Sequence, residues 1–279
     1  MTYEKAHDSD FVGRFREIMS DPLNFLIDRH PQAGFTHEGM VTLHSGIKVP
    51  IEGELAYYGP FSYVLVINRG VHEPLEEFVF QEVLKRLPEN PVMLELGSYW
   101  AHYSMWFLSQ HPGGRSYLVE SEERSIRAGL NNFKINNFQG KFLRAFVGAG
   151  RLMVDSYLKD QEIDHLTILH SDIQGHESEM LDGARECLSN HRADYVFIST
   201  HSDEIHDDCK AKMLNYGYRL EVESGFSDHT TSYDGILIFT SPKIKQLFND
   251  FRPMGRQESL TATFDEKVEY VRRVKNSLA

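Results

Sequence analysis

"VMLELGSYWAHYSMWF", residues 92–107, is the stretch that decides the fold of this 279-residue chain. Its apolar start predicts a buried strand that ends at Glu95-Leu96-Gly97, and a helix-like segment follows at once. In an open α/β sheet, ligands bind beyond the carboxyl ends of the strands, where such turns lie. The turn at Gly97 is therefore the first candidate for a binding site.

The chain after this stretch alternates between short apolar strands and amphipathic helices. The predicted strands are "PVMLEL", "RSYLVE", "KFLRAFVG", "HLTILHSD", "ADYVFIST", "YRLEVES" and "GILIFTS". This alternation indicates an α/β fold with a doubly wound, mostly parallel sheet. The last two strands have no helix between them, so we expect one of them to run antiparallel.

The chain divides into three predicted parts. Residues 1–90 are expected to form an N-terminal α/β extension that covers the pocket, residues 91–241 the ligand-binding core, and residues 242–279 a C-terminal helical tail. Pro74 stands where a helix of the extension is expected to begin. Thr263 and Glu266 have the spacing of a capping box, which predicts the start of a helix in the tail.

Composition excludes several classes of protein. The net charge of −12 argues against nucleic acid as a partner, because binding the phosphate backbone usually needs a basic face. No apolar run is long enough to span a membrane, and the polar N-terminus does not resemble a secretory signal. Cys187 and Cys209 form neither a disulfide framework nor a CxxC metal pair. We therefore expect a protein of the reducing cytoplasm, without membrane partners.

Gly97 and Glu120 together predict a cofactor that contains ribose. A glycine at the first strand-to-helix turn lets the backbone approach a ligand closely. Glu120 ends the next strand, and an acid at about this distance after the glycine can accept hydrogen bonds from both ribose hydroxyls.

The residues around Gly97 favour a methyl donor over a dinucleotide. A pyrophosphate needs a G-x-G-x-x-G loop, whereas Tyr99, Trp100 and Ala101 follow here. Glu95 would repel a pyrophosphate but would attract the cationic end of S-adenosylmethionine, and Tyr99 could add a cation–π interaction. We expect Trp100 and Trp106 to pack in the core. A nicotinamide-dependent oxidoreductase is the least favoured class.

Three stretches in this order resemble the FkbM-like family of S-adenosylmethionine-dependent methyltransferases: "MLELGSYWAHYSMWF", "YLVESEERSIRAGLNNFKINN" and "LTILHSDIQGHESEMLDGA". The resemblance extends over residues 39–241. It implies a Rossmann-like class I methyltransferase fold with an antiparallel last strand, and O-methylation of a sugar, glycan or polyketide-type small molecule. The chain departs from the family at Ala101, where a glycine is usual, and at Trp100, where a small or polar residue is usual. It departs again at His170-Ser171, where a lysine is common.

The resemblance also implies where the methyl donor binds. Glu95, Gly97 and Ser98 would line its methionine end, Glu120 would hold its ribose, and residues 145–148 would lie near its adenine. The candidate donor-binding residues are Glu95, Gly97, Ser98, Tyr99, His102, Glu120, Ser121, Ala145, Val147 and Asp172.

An unactivated hydroxyl needs a base to accept its proton during methyl transfer. His201 follows the fifth strand and is expected to face Asp172 across the cleft. His201 is the first candidate base and His176 the second, with Asp172 orienting the base or the acceptor. Glu177 is expected to bond to the backbone of the turn that opens its own helix.

Two alternatives remain open from the residues alone. Asp172 with His201, or with the nearby His206, Asp207 and Asp208, could bind a divalent metal that orients a diol. The altered turn at Trp100-Ala101 would also suit a catalytically silent scaffold that binds the donor. The acceptor could stack on an aromatic wall of Tyr57, Tyr58 and Tyr63, unless these side chains only pack. A homo-oligomer is compatible with the sequence.

Overall fold

The computed structural model describes residues 11–148, 150–226, 231 and 233–279. Its main sheet contains the strands β4 (Val92–Leu96), β5 (Arg115–Glu120), β6 (Lys141–Arg144), β7 (Leu166–Ser171), β8 (Ala193–Thr200), β9 (Arg219–Ser224) and β10 (Gly235–Thr240). These seven strands pair in the order β6-β5-β4-β7-β8-β10-β9. The pairs from β6 to β8 are parallel, and β10 is antiparallel to both β8 and β9. The predicted α/β class, with its antiparallel last strand, is confirmed.

Helices flank this sheet and also build much of the N-terminal extension. They are α1 (Phe11–Ser20), α2 (Val64–Ile67), α3 (Pro74–Leu84), α4 (His102–Gln110), α5 (Glu123–Ile135), α6 (Val154–Asp160), α7 (Glu177–Asp182), α8 (Arg185–Ser189), α9 (Asp203–Asn215), α10 (Arg256–Thr261) and α11 (Phe264–Ser277). A small antiparallel sheet of β1 (Thr36–His37), β2 (Met40–Thr42) and β3 (Lys48–Pro50) belongs to the extension. Within the described ranges, every helix lacks the length or the apolar character needed to span a bilayer.

Local sequence signals start and end the helices where they were predicted. Pro74 is the first residue of α3. The Thr263 side chain accepts from the Glu266 N–H while the Glu266 side chain accepts from the Thr263 N–H, so the capping box of α11 is confirmed. Gly217 follows α9 with φ +80°, a left-handed conformation that glycine adopts without steric cost.

The stretch "HESEMLDGARECL" has the apolar spacing of one amphipathic helix, but it forms the two short helices α7 and α8. Asp155, in α6, explains the break. Its carboxylate accepts hydrogen bonds from the Glu186 and Cys187 N–H groups at 2.7 and 2.8 Å and so caps the second helix. A Cβ atom at Gly183, at the junction, would lie 3.2 Å from the Met153 sulfur, so a larger residue there would require Met153 to shift.

The two faces of the sheet carry different cores, because successive side chains of a strand point to opposite faces. Met93 and Phe197 pack against the extension, α4 and the C-terminal tail. Leu94 and Val196 pack on the other face, against α6 to α9. Phe80 of α3 contacts Phe197 of β8 with ring centroids 5.6 Å apart, so the extension lies directly on the sheet.

The strand register brings one end of each strand to a common edge. Leu96, at the end of β4, pairs with Ser171 of β7, which in turn pairs with Ile198 of β8. The antiparallel β10 begins at this edge, with Gly235 opposite Thr200. One site is therefore surrounded by the residues that follow β4, β5, β7 and β8 and by those that precede β10.

Candidate active site

A cavity of about 450 Å³ lies at this edge, beside the ends of β4, β5 and β7 and the residues that follow β6. Small-molecule sites generally occupy about 300–1,000 Å³, so its size suits a cofactor. Seven of the ten predicted donor-binding residues line it: Gly97, Tyr99, Glu120, Ser121, Ala145, Val147 and Asp172.

Gly97 forms the turn at the base of the cavity with φ +76°, in the left-handed region. A Cβ atom built there would lie 1.7 Å from the carbonyl oxygen of Asp172. The Asp172 N–H also donates to the Leu96 carbonyl at 2.9 Å, which holds the two chain segments together. Sequence analysis explained this glycine by the approach of a ligand, but the room that it leaves is used by the backbone of Asp172.

The turn after Gly97 uses large side chains where small residues are usual in the family it resembles. Tyr99 and Ala101 have φ values of +41° and +65°, which are uncommon for residues other than glycine. Ala101 is fully buried, and Trp100 and Trp106 are each 4% exposed, so both tryptophans pack in the core as predicted. Trp100 is further held by the Asn132 side chain, which donates to its carbonyl at 3.0 Å. Trp100 and Ala101 therefore pack this turn tightly against α5.

Glu120 lies at the cavity wall with its carboxylate already oriented. One oxygen accepts from the Tyr99 N–H at 2.9 Å and the other from the Glu122 N–H at 2.8 Å. Each carboxylate oxygen can accept more than one hydrogen bond, so both can still bind a hydroxyl. Burial raises the pKa of Glu120, and the two N–H groups oppose that effect.

Three predicted donor-binding residues, Glu95, Ser98 and His102, do not line the cavity. Glu95 is buried on the face of β4 that packs against α4, where it accepts from the Ser104 N–H at 3.2 Å. Burial raises the pKa of Glu95 to about 7. Ser98 is 2% exposed, and His102 lies among buried side chains of the extension. The predicted contact of these three residues with a donor is therefore not supported by their positions.

Asp172 and His201 are brought together, as predicted, by the ends of β7 and β8. The His201 Nε2 atom lies 3.3 Å from Asp172 Oδ1 and 3.4 Å from Asp234 Oδ1. Its Nδ1 atom lies 3.0 Å from Glu177 Oε1. Three carboxyl groups thus surround one imidazole.

Glu177 has the structural role that was expected. Its Oε1 atom accepts from the Ile173 and Gly175 N–H groups at 3.2 and 3.1 Å, within the turn that opens α7. The side chain is fully buried. The turn and the imidazole of His201 are therefore held by the same carboxylate.

The carboxyl groups decide the protonation of His201. Burial by itself lowers its pKa, but the hydrogen bonds to Asp172 and Glu177 outweigh that effect and raise the pKa to about 11. Burial and the charge of Asp172 raise the pKa of Asp234 well above its usual value. For Asp172, burial raises the pKa, but the hydrogen bond and charge of His201 lower it below its ordinary value. At neutral pH His201 is therefore an imidazolium, which cannot accept a proton.

The other candidate residues are dispersed. His176 lines the cavity and lies 3.6 Å from Glu179 through its Nδ1 atom, with a side chain that is 44% exposed. His170 is buried and contacts Glu76 at 2.6 Å. His206 bonds to Thr200 at 2.8 Å, and Asp208 pairs with Lys212.

Sequence analysis missed Asp234 and Glu73. Asp234 precedes β10, and the expectation of an antiparallel strand could have revealed it, because such a strand begins where its neighbours end. Glu73 precedes α3 and accepts from the Tyr103 hydroxyl at 2.9 Å. Burial raises the pKa of Glu73 to about 7. The charge of His72 opposes this increase, and the charges of Glu76 and Asp172 add to it.

Comparison with known proteins gives the family. A model of the methyltransferase FkbM domain matches residues 73–220. The chain belongs to the FkbM methyltransferase family. The matched region contains Glu120, Asp172 and His201, and Asp234 lies beyond it. As an FkbM methyltransferase the chain is an S-adenosylmethionine-dependent enzyme, in agreement with the prediction from Gly97, Glu120 and Asp172.

Several solved structures resemble this FkbM methyltransferase. Precorrin-6y C5,15-methyltransferase of Geobacter metallireducens is 15% identical, with a TM-score of 0.44 over 59% of this chain and 88% of that chain. Fibrillarin of Aeropyrum pernix, with bound S-adenosyl-L-methionine, is 16% identical, with a TM-score of 0.41 over 58% and 74% of the respective chains. A search of curated proteins found no match.

Proposed function

We propose that this FkbM methyltransferase transfers the methyl group of S-adenosylmethionine to a hydroxyl of a sugar, glycan or polyketide-type small molecule. The observation that carries the proposal is that Asp172, which lines the cavity, and Asp234 both lie close to His201 Nε2, at 3.3 and 3.4 Å. A hydroxyl needs a proton acceptor during methylation, and this arrangement contains a carboxyl group of raised pKa.

Residues along the cavity would bind the donor at three points. Glu120 would accept from the ribose hydroxyls, and Ala145 and Val147 would contact the adenine. Asp172, whose pKa is lowered below its ordinary value mainly by His201, against the effect of burial, would be ionised beside the cationic methionine end. Tyr99 and Tyr58, with ring centroids 4.8 Å apart, would add an aromatic surface at the same end.

S-adenosylmethionine supplies an electrophilic methyl group when it is bound. The chain must hold the acceptor oxygen in line with that methyl group and receive its proton. As the carbon–oxygen bond forms and the sulfur–carbon bond breaks, the hydroxyl proton passes to a carboxylate. We favour Asp234 as that base, because its carboxyl group lies beside His201 and a carboxylate of raised pKa is a stronger proton acceptor.

His201 then acts as a positioning residue in place of the base that sequence analysis favoured. Its imidazolium holds Asp172 and Asp234 at 3.3 and 3.4 Å and reduces their mutual repulsion. His176 stays the second candidate base, since it lines the cavity and is partly exposed.

The acceptor would enter between the cavity and the N-terminal extension. Tyr58 lines the cavity and donates its N–H to the Tyr99 hydroxyl at 3.1 Å. Tyr57 is 6% exposed and packs against Trp100, and the Tyr63 hydroxyl donates to Glu52. Of the three tyrosines considered, Tyr58 is therefore the one we propose to contact the acceptor.

Two buried free thiols, Cys187 and Cys209, support the proposed reducing, cytoplasmic setting.

Isothermal titration with S-adenosylmethionine, followed by turnover assays with a panel of hydroxylated sugars and polyketides, tests the proposal. We expect donor binding, and release of S-adenosylhomocysteine with at least one acceptor. Binding without turnover on any acceptor would support the silent scaffold, and failure to bind the donor would overturn both.

A divalent-metal-dependent O-methyltransferase is the second candidate. Asp172, His201 and Asp234 are residue types that ligate divalent ions. The raised pKa of His201 disfavours it, because an imidazolium is not a ligand. Turnover that is lost in EDTA and restored by Mg²⁺ would favour this candidate.

A further inference from the structure

We propose that His44, Glu77 and His102 form a buried zinc site that joins the N-terminal extension to the methyltransferase core. The three side chains come from separate elements. His44 follows β2, Glu77 lies in α3 and His102 is the first residue of α4. A metal ion bound by them would join these elements directly.

The geometry of this His44–Glu77–His102 cluster suits one ion. One ligand atom from each residue lies within 4.8 Å of those of the other two. His44 Nε2 lies 2.8 Å from Glu77 Oε2, and His102 Nε2 lies 3.9 Å from Glu77 Oε1. Zinc–nitrogen and zinc–oxygen bonds are about 2.0–2.2 Å long, so ligand atoms at these separations can surround a single ion after small shifts.

The ring nitrogens of the cluster lack other partners. His44, Glu77 and His102 are exposed by only 1%, 0% and 2%. Among the described residues, the ring nitrogens of His44 and His102 make no hydrogen bond of good geometry, and the contact of His44 Nε2 with Glu77 lies within the cluster itself. Leaving such buried polar atoms unsatisfied destabilises a fold. A metal ion would satisfy one nitrogen of each ring.

The carboxylate of Glu77 is held in place independently of any ion. Its Oε1 atom accepts from the backbone N–H groups of His72 and Glu73 at 2.9 and 3.0 Å, at the start of α3. Such outer contacts orient metal ligands in proteins. Oε2 is left facing His44.

Aromatic rings enclose the cluster. Trp106 packs edge-on against His44 with centroids 4.3 Å apart, and Trp100 stacks on His102 at 5.1 Å. Two imidazoles and one carboxylate are ligand types that suit Zn²⁺, and a water molecule would complete the four-coordinate geometry of the ion. Because Trp100 belongs to the turn after Gly97, the ion would also stabilise the wall of the donor cavity.

Metal analysis of the full-length protein tests the proposal without an activity assay. The protein is prepared without a histidine tag and without chelator, and its zinc content is measured by plasma mass spectrometry. We expect one zinc ion per chain. Removal by a strong chelator should lower Tm by roughly 5–10 °C, and added ZnCl₂ should restore it.

Glu77→Gln and His102→Gln are the matched variants, and each should lose most of the zinc. His37→Gln, at a side chain that is 85% exposed, and His206→Gln, at a buried histidine outside the cluster, should keep it. Should the cluster variants fail to fold, chelation and zinc addition on the wild type decide the question.

Folded wild-type protein that contains no zinc, and whose Tm added ZnCl₂ does not change, would overturn the proposal. Equal loss of zinc from His206→Gln would overturn it as well. Either result leaves the proposed methyl transfer untouched, because that function is measured separately by donor binding and turnover.

Discussion

His201 Nε2 lies 3.3 Å from Asp172 Oδ1, across the gap between the ends of β7 and β8. The two residues are 29 positions apart in the chain, and parallel pairing of their strands places them side by side. Their contact links protonation to both stability and catalysis, because against the opposing effect of burial it raises the pKa of His201, together with the hydrogen bond to Glu177, to about 11.

The stability of the protein should fall as pH rises above neutrality. Below pH 6.5, the ordinary pKa of histidine, His201 is protonated in both the folded and the unfolded chain, so its pairing contributes fully. Between 6.5 and about 11 the unfolded chain releases this proton while the folded chain keeps it, and the contribution is lost. Thermal unfolding from pH 6 to pH 10 measures the effect. His201→Gln should show a shallower decrease in Tm, and identical slopes for variant and wild type would contradict the assignment.

Asp234→Asn should reduce kcat by roughly 10²–10⁴-fold, the range for loss of a general base, with donor affinity nearly unchanged. Wild-type kcat should rise with pH through a pKa above the usual range of carboxyl groups, because Asp234 must be ionised to accept a proton. Asp250→Asn, in the C-terminal tail, serves as the control. A His176→Gln variant that loses activity while Asp234→Asn keeps it would move the base to His176.

Glu120→Gln should weaken the binding of S-adenosylmethionine by roughly 10–100-fold, because a hydrogen bond to a charged group contributes about 1.5–3 kcal/mol. Isothermal titration gives the dissociation constant directly. Glu123→Gln removes an acid whose side chain is 68% exposed and is paired with Arg144, and it should leave donor affinity unchanged. Equal affinities of Glu120→Gln and wild type would place the ribose elsewhere.

Gly97→Ala should destabilise the fold by roughly 2–4 kcal/mol, since it adds a backbone clash to an unfavourable φ. The new Cβ would meet the Asp172 carbonyl at 1.7 Å. Gly53→Ala separates the two effects, because Gly53 has φ +91° and open space around its Cβ position. Urea unfolding should show that Gly53→Ala lowers the free energy of unfolding by about 1–2 kcal/mol. If Gly97→Ala lowers the free energy of unfolding no more than Gly53→Ala does, the turn can move away from Asp172.

The class of sheet and several helix ends were predictable because they depend on local signals. Alternating apolar segments indicated the parallel sheet, and the absence of a helix before "GILIFTS" indicated the antiparallel strand. Thr263 with Glu266, and Gly217, marked helix ends through hydrogen bonds and φ values within a few residues. The break between α7 and α8 was missed because Asp155, on another helix, supplies the cap.

Part of the candidate site was predictable from the same local signals. Glu120 ends its strand, and Asp172 and His201 each come directly after one, so the binding of ligands at the carboxyl ends of strands predicts that these residues lie together. Glu95 and His102 were expected to reach the donor from their nearness to Gly97 in the chain. The direction in which each side chain points from its strand or helix places Glu95 and His102 on the side of the extension instead.

By itself, the sequence determined the class of fold, the edge at which the site lies and the kind of cofactor, since periodicity and strand-end residues act over short stretches of chain. Only the tertiary structure decided that Asp234 approaches His201, that His201 carries a proton at neutral pH, and that His44 meets Glu77 and His102. These contacts join segments that are distant in sequence, and their electrostatics depend on burial, which no single segment specifies.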